Sequence, residues 1–348
     1  MGEIALYIQQ ILLQIFHKFG GERSVSAGFH LLKGKRSGQT IQDVGNFNLH
    51  SFFGLTPKLT KEIYMEYAEQ LIDLGYATYR DEQYFILTNT GLEVLGKSKP
   101  MYFNGWYYRG NEHIFFKRLS LVVQSLSYSV QEIKSFAPIQ KDEDIQLWVK
   151  KFLVKNNYKS DMFYHAMRVE ISDSLNKLDV EDSSLNLLLY RLSGFNTPGW
   201  TWQQLAREQN RSLLDIQLAY IEALHMWLDT LYEEPKHYLS QLAEGVRIEQ
   251  LLTESSQKTA NLFQQGFTLE QIATMRRLKE STIEDHFVEM AMTMSQFPLE
   301  QFVESQNVEA IVHAVKQVNS KKLKVLRDVV PELSYFQIRL ILAAKGEM

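Results

Sequence analysis

Eight residues, Gly91-Leu92-Glu93-Val94-Leu95-Gly96-Lys97-Ser98, satisfy the pattern of a phosphate-binding loop. Such a loop wraps backbone amides around phosphate and starts a helix at its lysine. Here Leu92, Val94 and Leu95 favour a packed helix and Pro100 interrupts the continuation, so the segment reads as the last helix of its domain. No cofactor is expected. The nine histidines are scattered, with no H-E-x-x-H and no G-x-S-x-G, and the absence of cysteine removes thiol catalysis, a disulfide framework and a Cys-ligated zinc site together. The carboxylates of Lys141-Asp142-Glu143-Asp144 and Glu181-Asp182 read as solvated charge runs, not as ligands of a nuclease metal. The expectation is a protein that is not an enzyme.

The cations suggest different chemistry. Lys18, Arg23, Lys33, Lys35 and Arg36 gather with His17 and His30 while only Glu22 opposes them, a local patch suited to phosphate. A second group, Arg276, Arg277 and Lys279, precedes Ser281 and Thr282, with Asp285 and His286 one turn further on. Docked conventionally, a helix starting there puts Ser281, Thr282, Asp285 and His286 to a major groove and the three cations near phosphates, although Glu284 and Asp285 repel a nucleic-acid backbone. Lys321, Lys322, Lys324 and Arg327 form a modest further patch. Between residues 101 and 118, Tyr102, Phe103, Trp106, Tyr107 and Tyr108 alternate with Arg109, Lys117 and Arg118; such residues can stack bases of a single strand, but packing between domains is the favoured reading.

These groups need elements to hold them. The 348 residues suffice for two or three domains at ~150 residues each, and 45% hydrophobic content gives each a core. With 37 basic against 41 acidic side chains, binding by bulk charge alone is excluded. Residues 1–100 read as one domain, 101–252 as a helical middle domain and 253–348 as a third. Ile4, Ile8, Ile11, Leu12, Ile15 and Phe19 fall on one helical face, so the start reads as a helix and not as a leader, and no apolar run approaches a membrane span. Tyr76–Tyr79 and Tyr84–Leu87 flank a turn and read as a short β-hairpin. Asn176–Ser184 and Ser193–Gly199 read as loops. Thr201-Trp-Gln-Gln204-Leu205-Ala206 and Thr268-Leu-Glu-Gln271-Ile272-Ala273 share T-x-x-Q-[LI]-A, a capping box ahead of a large and a small apolar residue. From Thr259 to Met294, Phe263 and Gly266 close one helix, Thr268 opens a second, and Ser281-Thr-Ile-Glu284 reads as a capping box opening a third. That is a tri-helical helix-turn-helix.

The run L-F-x-x-G-F-T-L-E-Q-I-A-x-x-R-x-L-x-x-S-T-I-x-x-H, with Tyr335–Leu342 beyond it, resembles the helix-turn-helix at the C-terminus of many bacterial RecQ helicases. Leu31-Leu-Lys-Gly-Lys-Arg36, Leu49-His-Ser-Phe-Phe-Gly-Leu55, Leu71-Ile-Asp-Leu-Gly-Tyr76 and Leu87-Thr-Asn-Thr-Gly91 resemble successive signatures of the winged-helix domain that follows the RecQ motor. In that resemblance the Lys33–Lys35 segment opens the recognition region and Tyr76–Leu87 is the wing. Both modules without a motor resemble a bacterial family associated with a short RecQ-type helicase that lacks them.

The expected fold is therefore mostly α: an N-terminal winged helix with a short β-hairpin wing, a helical middle domain and a C-terminal helix-turn-helix. The expected function is that of a non-catalytic DNA-binding accessory factor or partner of a short RecQ-type helicase in DNA repair or recombination, cytoplasmic and nucleoid-associated, without membrane contact. A helix-turn-helix transcription regulator is the alternative.

Overall fold

The computed structural model describes residues 7–249, 252–294 and 296–345; Ile4 of the expected first helix lies outside them. Chain order is helical, interrupted by one hairpin: α1 (Tyr7–Phe19), α2 (Val25–Leu32), α3 (Gly38–Asn46), a 3₁₀ turn (His50–Phe52), α4 (Lys61–Asp73), β1 (Ala77–Asp81), β2 (Tyr84–Leu87) and α5 (Asn89–Lys97). Then come α6 (Gly105–Tyr108), α7 (Glu112–Val130), α8 (Glu143–Lys155), α9 (Asp161–Leu175), α10 (Asp182–Tyr190), α11 (Trp202–Glu208), α12 (Leu213–Glu233) and α13 (Leu239–Leu242). The last stretch holds α14 (Glu254–Gln264), α15 (Leu269–Arg276), α16 (Glu280–Thr293), a 3₁₀ turn (Leu299–Gln301), α17 (Ser305–Val318), α18 (Leu323–Val329) and α19 (Tyr335–Ala344). No helix among the described residues is long and apolar enough to cross a membrane.

The described residues form two compact units, one of Gln9–Ser98 with those from Glu249 onward, the other of Tyr7 and Ile8 with Lys99–Ile248. The expected segments 1–100 and 253–348 thus share a unit almost entirely.

In the shared unit, α1 is buried nearly all round rather than on one face, because Leu13 and Phe16 are as enclosed as Ile11, Leu12, Ile15 and Phe19. Each such side chain contributes roughly 1.5–3 kcal/mol by leaving water. Phe16 meets Phe85 of the hairpin edge-on at 5.4 Å, and Phe19 meets Phe47 after α3. The hairpin pairs Ala77 with Leu87, Thr78 with Ile86 and Tyr79 with Phe85, then shifts register so that Asp81 opposes Tyr84. The formal phosphate-loop segment is α5, capped by Thr88, with Gly91 pressed so close to Tyr76 that a Cβ would lie 1.9 Å from its carbonyl oxygen. Its amides after the first turn sit in helix, so they are not arrayed around an anion.

Residues 253–345 build the expected helix-turn-helix. Thr268 and Gln271 form the capping box of α15, as Thr201 and Gln204 do for α11, and Ser334 with Gln337 adds a third at α19. The expected box at Ser281 and Glu284 is not formed. Arg277, left-handed at φ 54°, and an extended Lys279 make the turn so short that α16 has already begun at Glu280. Ser281 is inside the helix.

The helical unit is organised on α12, whose Ile216, Ala219, Ala223, Leu224 and Trp227 are buried against α7, α9 and α10. The aromatic stretch after Pro100 belongs to this core: Phe103, Trp106 and Tyr108 are buried, and the hydroxyls of Tyr102 and Tyr108 donate to Asp229 at 2.8 and 2.5 Å. Asn104 and Arg247 also donate to that carboxylate. Packing accounts for most of the segment, but it is packing within the core of this one unit, not between domains as expected. Ser183 and Ser184 are in α10, which starts earlier than the expected loop allowed.

Candidate nucleic-acid interface

Lys33, Lys35 and Arg36 occupy the connection between α2 and α3, which is tied at both ends. Gly34, left-handed at φ 69°, donates to Leu31 O at 2.9 Å and Lys35 N donates to His30 O at 2.9 Å, the paired bonds of a Schellman stop. Gly54 N and Thr56 N reach back to Leu31 O and Leu32 O, and the backbones pack so tightly that a Cβ on Gly34 would lie 3.0 Å from Gly54 Cα. At the other end Ser37 caps α3 by accepting from Thr40 N. Three cations are thus exposed on a stiff four-residue arch at a helix C-terminus, whose partial negative charge favours them.

Lys33 lies over the Phe29 ring at 5.6 Å, while Lys35 and Arg36 have no hydrogen bond or ion pair among the described residues. Burial, then the charges of Lys35, Lys61 and Lys33, hold His30 below the usual histidine value. That ordering adds Lys61, the first residue of α4, to the cationic field. No spacing rule reveals it, because its proximity is created by the fold.

Two members of the sequence-derived patch are engaged internally, which corrects the reading that gave them to DNA. Lys18 donates its ammonium to the Asn48 carbonyl, and burial lowers its pKa. Arg23 donates to the buried Asp43 at 2.5 Å and stacks over Phe47. Burial raises the Asp43 carboxyl even so, opposed by Arg23. Arg23 is committed to Asp43, while the exposed Lys18 gives one of its three donors to the backbone.

The helix that precedes the hairpin, α4, exposes Glu62, Glu66, Glu69 and Asp73. At spacings of four, three and four residues these acids share one face, which repels a phosphate backbone. Nucleic acid is therefore favoured at the α2–α3 arch and disfavoured along α4.

The C-terminal group divides likewise. Arg276 is pinned inward: its Nη1 donates to Ser255 O at 2.7 Å and its Nη2 to Ser255 Oγ at 3.0 Å, with Thr259 and His286 beside it. His286 is buried, with its Nδ1 2.8 Å from Thr259 Oγ1, and burial followed by Arg276 lowers its pKa. Asp285 accepts from Arg339. The expected groove-facing roles of Asp285 and His286, and the phosphate role of Arg276, give way to these contacts. Arg277, Lys279 and Ser281 are exposed, and Thr282 is half-buried.

The reason is that α16 packs against α14, α15, α19 and also α3. Two glycines of α3 make this possible: a Cβ on Gly38 would lie 3.0 Å from Asp285 Oδ2, and one on Gly45 would lie 2.5 Å from Met292 Sδ. Gln42 of α3 donates to Asp285 at 3.5 Å and accepts from Arg339 at 3.2 Å. Nearby, Lys321 donates to the Asn46 carbonyl while its backbone N–H donates to Glu22. Lys321 is therefore engaged rather than part of a free patch. Beside the α3–α16 contact lies an open cleft of about 600 Å³ lined by residues that include Arg36, Lys258 and Thr282.

A helix-turn-helix domain family model matches residues 255–342, the segment that folds as α14–α19. Protein YpbB of Bacillus subtilis (strain 168) is 32% identical to this chain over 349 residues, an alignment covering 97% of each. The chain belongs to the YpbB family. No solved structure matches it. For this YpbB-family chain, the contacts of α16 mean that its helix-turn-helix is covered by the chain's own N-terminal domain on the α3 side. Exposed cations of the YpbB-like fold include Lys33, Lys35, Arg36, Lys61, Arg277 and Lys279, with Lys258, Lys324 and Arg327 exposed as well.

Proposed function

We propose that the protein is a non-catalytic DNA-binding accessory factor that works with a short RecQ-type helicase in repair or recombination. The observation that carries this reading is the arch of Lys33, Lys35 and Arg36, held rigid by the Gly34 stop and the Ser37 cap and lacking an acidic partner. Cations fixed in this way bind the phosphate backbone with little ordering cost and little regard to sequence. Complementary content supports helicase partnership: a hairpin-bearing N-terminal domain and a helix-turn-helix are present, and the phosphate-loop pattern is folded into α5. The transcription-regulator alternative is less favoured, since Asp285 and His286, two of the four expected base-reading positions, are engaged within the fold.

Fluorescence anisotropy on duplex, fork and single-stranded oligonucleotides across a salt series tests DNA binding. Phosphate contacts release counterions, so the wild type should lose affinity steeply with salt, and Lys33→Ala/Lys35→Ala should weaken binding on every sequence. An unchanged affinity for that variant would sink the reading. For the partnership, the purified chain and helicase should co-elute at micromolar concentration and low salt; separate elution would remove it.

A further inference from the structure

We infer that the cleft beside the α3–α16 contact is a second nucleic-acid backbone site, in which Arg36 from the winged helix and Lys258 from α14 hold phosphates of one strand and Thr282 donates its hydroxyl. This rests on the DNA-binding reading above and extends it from the arch to a composite surface shared by both modules. The two cations arise more than 200 residues apart in sequence, yet both line one cleft of about 600 Å³, within the ~300–1,000 Å³ range of ligand sites.

The charges of that cleft decide what it can take. Three acids line it beside the three cations: Asp285 is paired with Arg339 and Gln42, Glu254 with Lys258, and Glu289 accepts from the backbone and hydroxyl of Thr253 and the hydroxyl of Ser256, so the phosphates are held on the Arg36 and Lys258 side. Arg276 is fixed by Ser255 and Thr259 and adds positive field without being free to move. Arg36 has no partner among the described residues, and the Glu254 that pairs with Lys258 at 2.7 Å is 87% exposed. An exposed pair of this kind is worth ~0–1 kcal/mol, so a phosphate can displace it. The close approach of α3 to α16 at Gly38 and Gly45 sets Arg36 beside the residues of α14 and α16 that line the cleft.

The test is anisotropy with the full-length protein on single-stranded and duplex oligonucleotides, comparing Lys258→Ala, Glu254→Gln and Lys33→Ala/Lys35→Ala. Lys258→Ala should weaken binding several-fold and flatten the log-log salt slope by about 0.7–0.9, the loss of one phosphate contact. Glu254→Gln, which frees Lys258 without touching the arch, should tighten binding. If the arch variant loses affinity while both cleft variants match the wild type, the composite site is wrong and the DNA-binding reading stands. If the wild type binds none of the oligonucleotides, both fall. Thermal unfolding of each variant within a degree or two of the wild type excludes misfolding, and Lys258→Arg should restore the wild-type slope.

Discussion

Met292 of α16 lies over Gly45 of α3 so closely that any side chain at position 45 would meet its sulfur at 2.5 Å. The contact joins the first domain to the last. Gly45→Val should overpack it and cost about 1–3 kcal/mol. Urea unfolding followed by tryptophan-independent circular dichroism should show a lower midpoint with an unchanged slope. A wild-type midpoint would mean that Met292 has room to move and that the seam is loose.

Gly34 tests whether the shape of the arch matters beyond its charge. A Cβ there is disfavoured by the left-handed backbone, by roughly 1–2 kcal/mol, and by the approach of Gly54. Gly34→Ala should therefore lower DNA affinity measurably although every cation is retained. Equal affinity for variant and wild type would show that the lysines bind independently of the loop's conformation.

Arg276 and its neighbours separate structural from binding cations. Arg276→Ala leaves Ser255 O and Thr259 short of a donor, so it should destabilise the protein by about 1–3 kcal/mol while DNA affinity per folded molecule holds. Arg277→Ala/Lys279→Ala should do the opposite, altering stability by less than ~0.5 kcal/mol and lowering affinity. Reversal of these two results would return Arg276 to the interface.

His50 supplies a pH dependence. Burial, with Lys18 second, holds its imidazole at about 4, below the 6.5 of an unfolded histidine. The unfolded chain thus binds a proton that the folded chain refuses, and stability is lost as pH falls from about 6.5 to about 4, by on the order of 3 kcal/mol. His30 and His286 are shifted in the same direction. Denaturation midpoints across pH 4–7 should fall toward acid, and His50→Gln should flatten that fall. An equal slope for the variant would assign the acid sensitivity elsewhere.

What the sequence determined was local. The hairpin, the capping boxes at Thr201 and Thr268, and the helices with apolar residues three and four apart were legible because each depends on contacts within a few residues. The cations Lys33, Lys35 and Arg36 were legible as a basic cluster, but the Gly34 stop that shapes them into an arch came only with the structure. The fate of other cations was not. Lys18, Arg23 and Arg276 look like Lys33 and Arg36 in sequence, but Asn48, Asp43 and Ser255 take their donors in the fold. The placement of α3 on α16 lay further out of reach, because it pairs Gly38 with Asp285 and Gly45 with Met292 across more than 240 residues. No periodicity within either helix encodes a partner that distant; only the fit of two glycines under a carboxylate and a thioether decides it.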